Sequence, residues 1–236
     1  MEGYPLAPDR VIAVPHGVDA DVFHPAARGG RAAVARALGA DRPYVLFASI
    51  PSIAQKNLQA LKTAMGRLAA GGLPHALVIA GGTAGGESPE LLARIAADLP
   101  EAPGRVAWLG HQGDTELAGL MAEADAFCLP SLIESFGLTA LEAMACGAPV
   151  VVSNRGALPE VVGNAGVITD PAPAALEAAL RRLLGEPELA HHLRAAGRER
   201  ALTMPWEATA AGWLAVLEAA AGRLDRPGGG APRPSL

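Results

Sequence analysis

Two glutamates, Glu134 and Glu142, flank a small apolar knot, Phe136-Gly137-Leu138, in the run "PSLIESFGLTALEAMACGAPVVVSNRG". An ionised carboxylate accepts hydrogen bonds from both hydroxyls of a vicinal diol, so both residues suit sugar hydroxyls. The apolar periodicity starts a helix near Leu138, and the first N–H groups of a helix have no partner within it. With the helix dipole they make an anion site. Gly137 there lets a ligand approach the backbone closely. Glu142 lies about four residues into the helix, ~6 Å along its axis at ~1.5 Å per residue. A diphosphate at the helix start then brings a ribose to Glu142 and a group on the distal phosphate to Glu134. The spacing fits a nucleoside diphosphate with a sugar at each end.

Holding that helix start in place requires a sheet behind it. Six apolar runs read as strands: "YVLFASI", "ALVIAGG", "RVAWLG", "AFCLPS", "PVVVS" and "AGVITD". Helical patterns alternate with them. "GGRAAVARALGA" ends at Gly39, and "NLQALKTAMGRLAAGG" puts Leu58, Leu61, Met65 and Leu68 on one face. "SPELLARIAADL" is capped by Ser88, "DTELAGLMAEA" by Asp114, and "TALEAMACG" ends at Gly147. "LPEVVG", "PAALEAALRRLLG" and later helices complete the set, and "RVIAVPHGVD" opens the chain with a short apolar run that stops at Pro15. Strands alternating with helices of about ten residues predict right-handed βαβ units. The fold class is α/β: a doubly wound, parallel, Rossmann-like sheet whose continuous apolar strands are covered on both faces. Ligands of such sheets bind at the carboxyl ends of the strands, where the loops "SIPSIAQKN", "GGTAGGES", "GHQGD" and "PSLIESFGL" converge.

The chain has 236 residues and a net charge of −5, which leaves no basic footprint for nucleic acid. Phosphate binding must therefore be local and use few cations. No apolar run reaches membrane-spanning length, and a cytoplasmic setting is expected. Cys128 and Cys146 sit in apolar runs and read as two small buried thiols. The Pro/Gly-rich residues 225–236 read as a disordered tail.

The run from Pro130 onward resembles the Glu-x7-Glu motif of retaining glycosyltransferases with the GT-B architecture, in particular the large family 4 (glycosyl transferases group 1). The likeness extends through "LPEVVGNAGVITDP" to a late Trp206-Glu207, covering about residues 11–220. It implies that Glu134 holds hydroxyls of the donor sugar and that Glu142 holds the ribose. It also implies that the backbone from Phe136 to Thr139 binds sugar and phosphate oxygens. Lys56 would face the diphosphate; the arginine that often accompanies it is replaced by Gln55, and Ser49-Ile50 stand where Gly-Arg is common. Gly82 would lie near the nucleotide, and His111 and Gln112 near the base. His16 falls in the interdomain linker, where a structural role is expected.

The same resemblance divides the chain into a linker with a short strand (1–25), a Rossmann-like nucleotide-sugar-binding domain (26–185), C-terminal helices (186–224) and the tail. It makes the chain the second half of a GT-B architecture, whose N-terminal acceptor-binding domain is a missing partner. Late helices around Trp206 would then expose an apolar surface, and any peripheral membrane contact would run through the absent domain. The implied activity is transfer of a hexose, with a lean to mannose, from a nucleoside-diphosphate sugar with retention of configuration. Glu134 and Lys56 are the catalytic candidates, neither metal nor other cofactor is expected, and the isolated chain should not transfer sugar. A non-catalytic nucleotide-sugar-binding module acting with a partner chain is the alternative. An oxidoreductase is disfavoured, because "GGTAGGES" lacks the G-x-G-x-x-G spacing of a dinucleotide loop.

Overall fold

A computed structural model of the chain describes residues 11–50, 54–82 and 103–224. Six strands, β1 (Tyr44–Ala48), β2 (Ala76–Ala80), β3 (Val106–Trp108), β4 (Ala126–Leu129), β5 (Val150–Ser153) and β6 (Val167–Thr169), form one sheet in the order β3-β2-β1-β4-β5-β6. Every pairing is parallel. All residues of β1, β2, β4 and β5 are buried, as strands covered on both faces must be.

Helices α1 (Gly30–Leu38), α3 (Asp114–Ala122), α4 (Leu138–Ala145) and α5 (Leu158–Val162) bury their apolar residues on one face of this sheet. Helices α2 (Leu58–Ala70) and α6 (Pro173–Gly185) cover the other. The expected stripe on α2 is the one buried: Leu61 and Leu68 are fully enclosed, and Leu58 and Met65 nearly so. Helix α7 (Pro187–Leu202) packs against α4 and α6, and α8 (Trp206–Leu224) runs on from it. Both cysteines are buried and free. Desolvation pushes the Cys146 thiol up to about 12 and raises Cys128 as well, so neither is a ready thiolate.

Two local expectations need correction. Asp114 does not cap α3; Gly113 occupies the cap position and Asp114 is the first helical residue, an acidic side chain at the positive end of the dipole. The opening apolar run forms no strand in its described residues: it contributes a single bridge between Val18 and Pro205, tied by the Val18 N–H to the Met204 carbonyl at 2.9 Å. The helix expected over "SPELLARIAADL" and the tail 225–236 lie outside the described residues.

The strand order reverses between β1 and β4. The loops that leave their carboxyl ends diverge to opposite sides of the sheet and open a crevice there. Lys56 follows β1 and Glu134 follows β4, so the topology alone brings these two residues to one place.

Candidate functional site

Lys56 Nζ lies 2.8 Å from Glu134 Oε2, and both side chains are largely shielded, at 22% and 9% exposure. The Ser131 hydroxyl donates to the same oxygen at 3.1 Å. Oε2 is thus doubly held, while Oε1 accepts nothing among the described residues. Ser131 is itself buried, and its carbonyl accepts from the Ser153 hydroxyl at the end of β5.

The loop carrying Glu134 is also pinned through its backbone. The Glu134 carbonyl accepts from the Ala157 N–H at 3.1 Å. Next to it, Gly156 approaches so closely that a Cβ would stand 2.0 Å from that carbonyl oxygen, at a φ of +58°. Any L side chain there would both clash and be strained, so the sugar-facing loop depends on a glycine in the loop after β5.

Helix α4 begins behind Gly137, which adopts the left-handed conformation at φ 99° and returns its carbonyl to the N–H groups of Ala140 and Leu141. A Cβ on Gly137 would meet Leu158 at 2.6 Å. The backbone turn and the packing of Leu158 thus both place demands on this position. Phe136 packs its ring edge-on to His16, with centroids 5.1 Å apart, and His16 also meets Trp206 at 5.8 Å. His16 thus joins the N-terminal segment to the loop of Glu134 and to the start of α8, in keeping with a structural role.

A cleft of about 400 Å³ opens at the ends of β1 and β2; Thr139 of α4 lines it, while Lys56 and Glu134 do not. Four residues singled out in the sequence, Gly82, His111, Gln112 and Thr139, line it together. Gln112 is already committed, its amide donating to the Leu109 and His111 carbonyls at 2.7 and 3.0 Å. Ser49 and Asp114 line the cleft as well. Sequence reasoning missed both: Asp114 looked like a cap, and Ser49 was noticed only as a departure from glycine.

Asp114 also acts on Glu142. Burial first, and then the negative charge of Asp114, push the Glu142 carboxyl up to about 7. The two carboxyls therefore feel each other across the start of α3 and the first turns of α4; Asp114 lines the cleft and Glu142 does not. The nearest arginine after β5, Arg155, is held by Asp170 at 3.0 Å.

The geometry amounts to an anion-attracting helix start, one lysine, a carboxylate with one oxygen already held, and a second carboxyl one turn into the helix, with a nucleotide-sized cleft that reaches Thr139. The family described as "Glycosyl transferases group 1" matches residues 35–200. A D-inositol 3-phosphate glycosyltransferase of Segniliparus rotundus is 36% identical over 222 residues, 92% of this chain and 49% of the relative. A GDP-mannose-dependent α-(1-6)-phosphatidylinositol dimannoside mannosyltransferase of Mycobacterium tuberculosis is 35% identical over 215 residues, 89% of this chain and 52% of the relative. Among solved structures, a sucrose-phosphate synthase from Thermosynechococcus elongatus superimposes with a TM-score of 0.74 at 27% identity, covering 89% of this chain and 52% of that one. The chain thus spans about half the length of the curated relatives it matches.

Proposed function

This chain belongs to the glycosyl transferases group 1 family, and we propose from there that it is the donor-binding half of a retaining GT-B enzyme of family 4. In this reading it holds a nucleoside-diphosphate hexose, with mannose favoured, for transfer to an acceptor bound by a second, N-terminal domain. The observation that carries the proposal is the pairing of Lys56 with Glu134 across the β1/β4 crevice, next to the start of α4. The mannose lean draws support from the mannosyltransferase among the relatives. A further domain is supported by relatives twice as long.

The positions of these groups support the following chemistry. The diphosphate sits against the N–H groups at the start of α4 and within reach of Lys56. Both are placed to stabilise negative charge as the glycosidic C–O bond to the diphosphate breaks. They supply this stabilisation without a resident metal. Glu134 uses its Oε1 oxygen to hold donor-sugar hydroxyls, and Lys56 and Ser131 keep its other oxygen in place. Glu142 accepts the ribose hydroxyls, and the cleft with Gly82, His111 and Gln112 receives the base. Glu134 is a binding carboxylate rather than a nucleophile in this account.

Titrating the chain with UDP-, GDP- and ADP-sugars tests the proposal. Saturable binding of one nucleotide sugar, with GDP-mannose preferred, is the expected result. No binding of any of them would remove the donor-binding role.

A further inference from the structure

Among the described residues, Asn57 is the only one besides glycines with a positive φ, at 57° with ψ 34°. It stands where α2 begins. Asparagine at a helix cap usually adopts an extended backbone and accepts a hydrogen bond from the first turn through its side chain. Here the backbone is left-handed and the side chain makes no capping bond. The position thus forgoes a stabilising contact and accepts a conformation that L residues disfavour.

The side chain points elsewhere. Its amide nitrogen donates to the Pro130 carbonyl at 3.1 Å and to the Pro171 carbonyl at 3.0 Å. Both partners are acceptors only, so the group facing them has to be the NH2, with one hydrogen for each. Pro130 follows β4 and Pro171 follows β6. One side chain therefore ties together the loops at the ends of three strands. Two residues upstream, the Gln55 carbonyl accepts from the Leu132 N–H at 2.7 Å. Lys56 is bracketed by these ties, both of which reach the short segment 130–132 that leads into Glu134.

We infer that Asn57 is a positioning residue: its left-handed backbone and two-carbonyl clamp hold Lys56 at the Glu134 carboxylate and so set the phosphate-facing cation. The inference rests on the donor-binding reading of Lys56 but assigns a role to a residue outside it. Geometry explains why the strain persists. A right-handed residue 57 would turn the amide away from Pro130 and Pro171 and swing Lys56 with it.

The test uses the full chain, with GDP and UDP as probes and guanosine and uridine as phosphate-free controls. Asn57→Gly keeps the left-handed backbone accessible and removes the clamp; Asn57→Ala removes the clamp and penalises the backbone. Asn57→Gly is expected to weaken whichever diphosphate the unaltered chain binds by about tenfold, one charge-assisted contact's worth, and the matching nucleoside less than about twofold. Asn57→Ala should lose at least as much. In a Lys56→Ala background, Asn57→Gly should add no further loss, because the role runs through the lysine. Unchanged diphosphate binding in Asn57→Gly would overturn the inference. So would equal loss for nucleoside and diphosphate, or full additivity with Lys56→Ala. If Lys56→Ala weakens the diphosphate while Asn57→Gly does not, only the positioning role falls. If the unaltered chain binds neither diphosphate, the donor-binding reading falls with it.

Discussion

Glu142 shows how one residue can carry opposing demands. Folding takes its carboxyl out of water beside Asp114 and raises it to about 7, from an ordinary value of about 4.3 in the unfolded chain. The folded chain therefore binds this proton more tightly between those two values. The residue's contribution to stability is present at low pH and is lost as pH rises from about 4.3 through 7. Glu142→Gln removes the titration while keeping the shape. It should nearly equal the parent at pH 4 and exceed it by roughly 3–4 kcal/mol at pH 8, as read by chemical denaturation at the two values. Equal stability of variant and parent at pH 8 would show that the carboxyl is not desolvated. A buried carboxylate retained despite this cost suits a residue kept to accept hydroxyls. Its place on the helix was legible from spacing alone. Its neighbour was not, because Asp114 approaches from α3 and lies 28 positions away in the chain.

At the scale of elements, α4 is fixed at both ends. Its start is set by Gly137 and by Leu158 packed beneath it. Its end is held by two arginines of α7: Arg198 donates to the Ala145 carbonyl and, at 3.3 Å, to that of Phe23, while Arg194 donates to the Gly147 and Ala124 carbonyls at 3.0 Å each. Cations at the carboxyl end of a helix satisfy orphan carbonyls and complement the dipole. Arg194→Ala should cost roughly 2–4 kcal/mol, two charge-assisted bonds to shielded carbonyls, measured as a lower denaturation midpoint with unchanged slope. A loss under about 0.5 kcal/mol would mean that water replaces the guanidinium without penalty. The strands and most helices were readable because apolar runs and 3.6-residue patterns are local signals. The capping arginines were not: "HHLRAAGRER" reads as a polar helix, and the partners of Arg194 and Arg198 lie between 47 and 175 positions away. Asn57 escaped notice for a similar reason, since nothing in "QKNL" distinguishes a clamp from a cap.

For the whole molecule, an apolar surface is the dominant feature away from the cleft. Trp206, Trp213, Leu214 and Leu217 are between 42% and 61% exposed on α8, and Val11 and Ile12 are 57% and 58% exposed nearby in the N-terminal segment. The two segments are stitched together by the Thr209 hydroxyl on the Pro15 carbonyl at 2.8 Å. Such a patch marks a surface that meets another, and in the proposed architecture it receives the acceptor-binding domain. No helix among the described residues is long and apolar enough to cross a membrane. Two outcomes follow at this scale. The chain alone should bind donor yet transfer nothing to a panel of alcohol acceptors, because positioning both reactants contributes several kcal/mol of barrier lowering. Efficient transfer by the chain alone would contradict this. Adding the acceptor-binding domain as a separate chain should restore transfer. Trp213→Lys combined with Leu217→Lys should abolish the restoration while leaving donor binding intact; restoration by the double variant would place the interface elsewhere.

The most direct test of the donor site is calorimetric titration of the chain and of Glu142→Ala with GDP and UDP, alongside the 2′,3′-dideoxy form of each. The account predicts that one of the two binds the unaltered chain and loses roughly 1.5–3 kcal/mol in the variant, the range for hydrogen bonds to a charged group. The dideoxy form should bind both proteins alike. Undiminished binding of the normal nucleotide by Glu142→Ala would contradict it.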